Sequence, residues 1–511
     1  LTQASDVEHE LRTGLGAAEL EAAIGDYDAL VVRSQTQVTS SLIKAAKRLK
    51  VIGRAGAGTD NIDVRAATAN GIVVMNTPQA NTIATAEQTM ALMLAVSRHI
   101  AQAHASLGSG EWARGKFSGR QLYRKVLGLI GFGRVARAVA KRAQAFGMDV
   151  VAFDPYVSEE VAQEHGVILQ DLGDILPRCD YVSLHTSATE DTKGIINAQT
   201  IAQMKDGVIL INAARGQLVD ESALAEALAS GKVAGAALDV YREEPPTPDN
   251  RLLQLPNVVH TPHLGASTIE AQRDVAIQIV DQVLDALRGK DFRNSINMPF
   301  GVGPDYDAAL PYMVLAERMG VLQFHMAAAP VRRVEVEVRG EASESLTRPV
   351  AAALLKGILQ GFLVDNVNYI SAPVLAEEHG ITISQSKGVS VVDYSNLISC
   401  RVHWDGGSRV IAGVLFGGSH PRIVQVGRYH LDADPSGTLL VMLNKDVPGV
   451  IGQVGTILGA YEVNIGEWRM GRNSPGEEAL SFINLDCEPP KAALDALESV
   501  SAITKLKLVT L

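Results

Sequence analysis

KVLGLIGFGRVARAVAKRAQAFGMDVVAFDP, residues 125–155, is the stretch that decides the fold. KVLGLI reads as a short buried strand, Gly131-Phe132-Gly133-Arg134-Val135-Ala136 as a tight turn opening a helix, and DVVAF as the next strand. A glycine turn between a strand and a helix is the dinucleotide-binding fingerprint. Gly131 permits the turn, Gly133 lets the backbone approach a pyrophosphate, and Ala136 stands where a third glycine often sits. The helix N-terminus then offers unpaired N–H groups and partial positive charge to the phosphates. Asp154 ends the second strand, where an acid accepts bonds from ribose hydroxyls and repels a 2′-phosphate, so NAD is expected rather than NADP. The plainer alternative is a structural glycine turn beside a solvated aspartate.

Outward from this stretch the α/β alternation continues. YDALVVRS (27–34) reads as a buried strand, 40–48 as a helix, KVIG (50–53) as a strand before a Gly-rich turn, and GIVVMNTP (71–78) as a strand ended by proline. Together they predict a small parallel-sheet domain of flavodoxin-like type. Asn81 to about Leu107 reads as one long helix with an apolar face. YVSLHT (181–186), GVILINAARG (207–216), a helix from Asp220 to about Ser230, VAGAALDV (233–240) and VVHTPHLGAS (258–267) complete a Rossmann-type cofactor domain. NMPFGVGPD (297–305) is the clearest linker. Beyond it lies an α+β block at about 306–430, with a helix, the alternating strand RRVEVEVRGE (332–341), a helix near 347–360 and strands such as VSVVDYS (389–395). The last stretch, about 436–511, reads β-α-β-β-α-β, a ferredoxin-like pattern. The expected domains are 1–78 with 266–298, 79–265, 299–432 and 433–511.

A chain of 511 residues exceeds what one core supports, roughly 250–300 residues, so several domains are required. The net charge of −11 argues against nucleic acid as a partner and leaves any anionic substrate to a few local arginines. Cys179, Cys400 and Cys487 form no CxxC or Cys/His cluster, which argues against a metal site or disulfide framework and suits a reducing, cytoplasmic setting. No apolar run approaches the roughly 18 residues that span a bilayer. The chain opens at Leu1 without a signal peptide, and no opening strand precedes residue 27. The first residues are therefore expected to be missing, which leaves a targeting segment open.

Three residues fall just past successive strand ends: Arg215 after ILINAA, Glu244 after ALDV and His263 after VVHTP. Ligands of open α/β sheets bind at the carboxyl ends of the strands, so the three can converge beside a nicotinamide. Oxidising an alcohol needs a base for the hydroxyl proton, and imidazole titrates near the working pH. Glu244 can hold the other ring nitrogen, and Arg215 can take a substrate carboxylate in a bidentate fork. Taken singly, His263 reads as structural, Glu244 as a loop charge and Arg215 as a partner of Asp239; on this scaffold the joint reading is catalytic.

GLIGFGRVARAVA, INAARGQLVDESALAEAL, ALDVYREEPP and HTPHLGAS resemble the D-2-hydroxyacid dehydrogenase family over about residues 25–290. The resemblance implies an Arg215, Glu244 and His263 triad. It also implies cofactor contacts at Arg134, Val135, Thr186, Ala213, Asp239, His263 and Gly265, and a helix at about 268–288 that returns to the first domain. VVRSQTQVT and GRAGAGTDNID are most similar to members that oxidise 3-phosphoglycerate to 3-phosphohydroxypyruvate, the first step towards L-serine. That likeness implies that Arg33, Ser34, Arg54 and the backbone of Ala55, Gly56 and on to Gly58 face the substrate. Ala57 departs from the pattern at a position for a hydroxyl, which puts one hydrogen bond in doubt. The physics agrees: such a substrate carries about three negative charges at neutral pH, and an acidic protein needs extra arginines to hold it.

NKDVPGVIGQVGTILGAYEVNIGEWRMGR (444–472) resembles an ACT domain, a small module that binds amino acids and pairs between chains. Gly452, Gly455 and Gly459 would keep one helix face flat for packing, and the resemblance places an L-serine effector on Asp446 and Asn464, in a homodimer or homotetramer. VNYISAPVLAEEHGI (367–381) and LFGGSHPRIVQV (415–426) resemble the intervening, allosteric substrate-binding domain of the family's long members. There Lys387, His420 and Arg422 are candidates for an anion, with ordinary surface charge as the other reading. The alternatives are a glyoxylate, hydroxypyruvate or lactate dehydrogenase, which needs neither Arg33 nor Arg54, and an NAD-sensing corepressor-like protein, which the tail and the missing basic patch disfavour.

Overall fold

The computed structural model describes residues 4–301, 304–363, 367–388, 394 and 396–511. They form two compact units: Ala55–Gly58 with Thr77–Ile279, and Leu1–Arg54 with Thr59–Asn76 and Val280–Leu511. VSVVDYS lies outside the described residues except for Tyr394, as does the Val302-Gly303 part of the linker.

The small sheet of the second unit comes first in the chain: β1 (Ala29–Val32), β2 (Val51–Arg54) and β3 (Val73–Met75). The three are parallel, in the order β1-β2-β3. Leu42, Ile43, Ile52 and Val74 fill the core beneath them. The expectation of a buried strand at 27–34 is corrected. β1 is an edge strand of this sheet, and Val31 is 42% exposed.

The first unit is built on a seven-stranded parallel sheet: β4 (Val126–Ile130), β5 (Asp149–Phe153), β6 (Ile168–Leu169), β7 (Tyr181–Leu184), β8 (Val208–Asn212), β9 (Val233–Leu238) and β10 (Val258–His260). Their order is β10-β9-β8-β7-β4-β5-β6. The central strands VLGLI, YVSL and VILIN are near-continuous apolar runs because helices cover both faces. Helix Arg134–Ala145 buries Ala136, Val139, Ala140 and Ala143 against the sheet. Chain order reverses between β4 and β7, the switch point outside which such sheets bind ligands.

The single helix expected over 81–107 is two, Thr82–Ser97 and Ile100–Gly108. His99 takes a left-handed backbone, φ +52°. The Ser97 carbonyl accepts from Arg120 N at 2.8 Å, and its buried hydroxyl meets the Tyr181 hydroxyl at 2.9 Å. These tertiary bonds replace the next helical one.

The rest of the second unit carries two more sheets. β11 (Val331–Gly340), β12 (Thr382–Gly388), β13 (Asn396–Trp404), β14 (Gly407–Phe416), β15 (His420–Val426) and β16 (Tyr429–Ala433) run in the order β12-β11-β13-β14-β15-β16. Helices Pro304–Met326 and Ser343–Leu359 pack together and contribute Met313, Leu315, Met319, Val350 and Leu354 to the core under this sheet. β17 (Thr438–Lys445), β18 (Ile465–Arg472), β19 (Glu478–Leu485) and β20 (Ile503–Thr510) form an antiparallel sheet in the order β18-β19-β17-β20, the ferredoxin-like arrangement. Its strands alternate between two cores. Leu440, Met442 and Ile483 face helices Val450–Ala460 and Lys491–Glu498, whereas Leu439, Val441 and Phe482 join the core of the six-stranded sheet. No helix of the described residues is long and apolar enough to cross a membrane.

Candidate active site

Every residue expected to hold cofactor or perform chemistry in the first unit lies at the carboxyl end of one of its parallel strands. Gly131 follows β4 with φ +89°, and a Cβ there would sit 2.7 Å from the His185 carbonyl oxygen, so only glycine fits. Gly133 caps helix Arg134–Ala145 and has open space where a Cβ would project. Arg134 is exposed and Val135 half-buried on the first turn of that helix. Asp154, past β5, accepts from Phe132 N at 2.8 Å and Tyr156 N at 2.9 Å, which fixes its carboxylate beside the turn. Thr186 follows β7 and Ala213 follows β8. An open glycine backbone at a helix N-terminus with a fixed acid alongside fits a dinucleotide.

The loop after β10 carries His263, the residue expected to move the proton. His263 has a left-handed backbone, φ +54°, a conformation that non-glycine residues rarely hold without support. The support is Asp239, fully buried just past β9. Its carboxylate accepts from the Thr261 hydroxyl at 2.5 Å, Leu264 N at 2.7 Å and Gly265 N at 2.8 Å, and its carbonyl from His263 N at 2.8 Å. The resemblance makes Asp239 and Gly265 cofactor contacts; the geometry adds that they secure the histidine loop.

His263 Nδ1 lies 2.7 Å from Glu244 Oε2, and Glu244 Oε1 accepts from Tyr241 N at 3.1 Å. The Glu244 bond raises the His263 pKa above the ordinary histidine value, against an opposing effect of burial. For Glu244, burial pushes the pKa up, but the His263 bond and charge, the Tyr241 N–H and Arg215 outweigh it, and the net shift is downward. Glu244 is therefore a carboxylate at neutral pH. Arg215 acts electrostatically on both members of the pair, so the structure brings the three together. Asn212, buried at the end of β8, shapes the Arg215 turn: its amide donates to the Arg215 carbonyl at 2.9 Å and its oxygen accepts from Ala214 N at 3.0 Å.

Three further residues escaped the sequence reading. The Tyr241 hydroxyl meets His260 Nδ1 at 2.6 Å. His185, just past β7, is bonded through Nε2 to the Ser183 hydroxyl at 2.9 Å, and burial pushes its pKa down to about 4. A tyrosine in an apolar motif and lone histidines at strand ends resemble core residues, so no sequence signal marks them.

In the second unit Arg33 and Ser34 follow β1 and Arg54 ends β2, at the carboxyl ends of neighbouring parallel strands with Val32 opposite Arg54. Ala55 and Gly56 belong to the first unit, where Gly56 N donates to the Thr77 hydroxyl at 2.9 Å. Asp446 is bonded to Arg472 Nη1 at 2.8 Å and Gly476 N at 3.2 Å, and Asn464 donates to Asp486 Oδ2 at 2.7 Å. No hydrogen bond joins Asp446 to Asn464 among the described residues. Lys387 pairs with Glu344, and Arg422 with Asp432, Asp434 and Glu467, which favours surface charge over an anion site.

The family model described as D-isomer specific 2-hydroxyacid dehydrogenase, NAD binding domain, matches residues 90–265, and the D-3-phosphoglycerate dehydrogenase intervening domain matches 309–427. The first unit thus defines an NAD-binding D-2-hydroxyacid dehydrogenase. A D-3-phosphoglycerate dehydrogenase of Archaeoglobus fulgidus is 43% identical over 99% of this chain and 96% of its own length. That of Bacillus subtilis is 40% identical over 97% and 94%. Among solved structures, the TT0316 protein of Thermus thermophilus is 37% identical with a TM-score of 0.52, over 55% of this chain and 90% of that one. A glyoxylate reductase of Paecilomyes thermophila is 34% identical with a TM-score of 0.51, over 55% and 87%. The chain belongs to the D-3-phosphoglycerate dehydrogenase family.

Proposed function

We propose that this chain oxidises 3-phosphoglycerate to 3-phosphohydroxypyruvate with NAD, at the head of L-serine synthesis, with His263 as the proton-transfer group. The observation that carries the mechanism is the 2.7 Å His263 Nδ1–Glu244 Oε2 bond at the same sheet end as the glycine turn. Because Glu244 is ionised, Nδ1 must donate to it, which leaves Nε2 of neutral His263 to accept the substrate hydroxyl proton. Glu244 then stabilises the imidazolium. Bound NAD supplies the hydride acceptor. Arg215 holds the substrate carboxylate and turns the reacting carbon towards His263, and Arg33 and Arg54 hold the phosphate. Oxidation needs neutral His263 and gains with pH; reduction needs charged His263 and falls with pH.

In the same reading the chain divides into domains at about 78, 265, 298 and 432, and the last is an ACT domain. It binds L-serine between paired chains of a cytoplasmic homodimer or homotetramer and slows turnover. Support comes from the ferredoxin-like sheet order and from the acid and amide in the two loops NKDVPG and YEVNIG. The test is NADH-linked turnover of phosphohydroxypyruvate, glyoxylate and pyruvate side by side. The expected result is a strong preference for phosphohydroxypyruvate. Equal or better turnover of glyoxylate or pyruvate replaces the substrate assignment, and NADH binding without turnover favours a sensing role.

A further inference from the structure

Arg215, Glu244 and His263 stand on three separate loops, and one buried residue, through its backbone and its hydroxyl, touches the segments that carry all three. Tyr241 is 5% exposed. Its backbone N–H donates to Glu244 Oε1 at 3.1 Å. Its backbone presses on the residue after Arg215: a Cβ on Gly216 would fall 1.9 Å from the Tyr241 carbonyl carbon, so no other residue fits there. Its hydroxyl meets Nδ1 of His260 at 2.6 Å, with the two rings stacked at 6.3 Å and 29°. His260 ends β10, three residues before His263. On the far side Glu221 accepts from Arg242 N at 2.7 Å and Asn250 Nδ2 at 2.8 Å, which anchors the chain just beyond Tyr241.

We propose that Tyr241 is a positioning residue, whose hydrogen bond to His260 ties the Glu244 turn to the His263 loop and sets the geometry at which the two side chains meet. The proposal rests on the reading of His263 as the proton-transfer group. β9 and β10 are parallel neighbours paired up to Leu238 and His260; just beyond, Asp239 bonds the 261–265 loop to the chain after β9, and the Tyr241–His260 bond adds a second tie, nearer to Glu244. The bond is available across the working pH range. Burial raises the Tyr241 pKa, so the phenol keeps its proton, and burial lowers the His260 pKa, so the ring stays neutral and in its Nε2–H tautomer accepts through Nδ1. Proton transfer is sensitive to such placement, since an error of about 1 Å costs on the order of a hundredfold in rate.

The experiment compares Tyr241→Phe, His260→Val, His260→Gln and the double variant Tyr241→Phe/His260→Val in full-length protein. Tyr241→Phe and His260→Val are each expected to lower kcat about tenfold with NADH affinity unchanged. Both should move the pH midpoint of keto-acid reduction down by roughly half a unit, because Glu244 then raises the His263 pKa less. A loss of folded protein would scale the profile without moving its midpoint. His260→Gln keeps an acceptor for the Tyr241 hydroxyl and should retain the wild-type rate and midpoint. The double variant should be no worse than the poorer single one, as for two ends of one interaction. Wild-type kcat and midpoint in Tyr241→Phe overturn the proposal, as do a His260→Gln variant as impaired as His260→Val, or losses that multiply. If Tyr241→Phe does not fold, the Val and Gln variants of half-buried His260 decide alone. Titration of the His263 ring by NMR gives the same midpoint without turnover, so a wild type inactive on all three keto acids sinks the functional reading while the positioning claim is still judged.

Discussion

Two carboxylates of this chain hold a partner at nearly the same distance, Glu244 with His263 at 2.7 Å and Asp446 with Arg472 at 2.8 Å. Their surroundings differ. Both also accept a backbone N–H, Glu244 from Tyr241 and Asp446 from Gly476, but the loop of the Glu244 partner is pinned by a buried aspartate with three donors. Arg472 and His263 are about equally exposed, 49% and 48%, but Arg472 is a long flexible side chain, whereas His263 is a short ring on a pinned loop. A proton-transfer couple must keep one geometry through every turnover, and a short ring on a pinned loop has little freedom to swing away. A contact that is to exchange with a small molecule, as proposed for Asp446, is better served by a partner that yields. The same kind of bond therefore reads as fixed machinery in one region and as an exchangeable contact in the other.

The sharpest way to break this contrast is His263→Ala. Turnover should fall by about three orders of magnitude, within the range that general acid–base groups supply, while NADH affinity stays near wild type because the glycine turn and Asp154 are untouched. Stopped-flow turnover and NADH fluorescence measure the two separately. Retained activity would move the chemistry to another residue, and lost NADH binding would make His263 part of the cofactor site.

Next come Arg33→Ala and Arg54→Ala. Losing a charge-assisted contact to phosphate costs roughly 1.5–3 kcal/mol, or about 10- to 150-fold in KM. The rise should appear with phosphohydroxypyruvate and be much smaller with hydroxypyruvate. Equal losses on both would show that these strand-end arginines do not read the phosphate.

Glu244→Gln sharpens the comparison further. The carboxylate is the first cause of the raised His263 pKa, so its removal should lower that pKa. The fall of keto-acid reduction and the rise of alcohol oxidation should both move to lower pH, read from initial rates across a buffered series. Profiles that keep their midpoints would remove Glu244 from its role.

What could be read in the sequence follows the same division between local and tertiary causes. The strand, turn and helix of 125–155 are legible because strands buried on both faces leave unbroken apolar runs and Gly131 marks a backbone that only glycine adopts. Arg215, Glu244 and His263 are legible because strand ends place them at one edge. The break at His99 is not, since it depends on Ser97 meeting Tyr181, 84 residues away. The Tyr241–His260 bond needs the parallel register of β9 and β10 before the pair can be seen. The second contribution of Asp239, three donors from the 261–265 loop, is likewise invisible until that loop is folded over it.

The smallest expected effect lies in the C-terminal module and tests whether the Asp446 contact is exchangeable. If the ammonium of L-serine takes the place of the Arg472 guanidinium, the two occupants compete for one carboxylate. Calorimetry should then find serine binding in the wild type, loss of binding in Asp446→Ala and a few-fold tighter binding in Arg472→Ala. Weaker binding in Arg472→Ala would instead make the arginine part of the site, as a partner of the ligand carboxylate. No heat at millimolar serine would reduce the module to an assembly device. Binding by itself does not make regulation: serine must favour one conformational state over another, with a coupling of about five- to 150-fold in affinity. Inhibition assays on the same three proteins supply that half. Inhibition should follow the affinities in order, strongest in Arg472→Ala and absent in Asp446→Ala, and binding that leaves turnover unchanged would keep the site and discard the feedback.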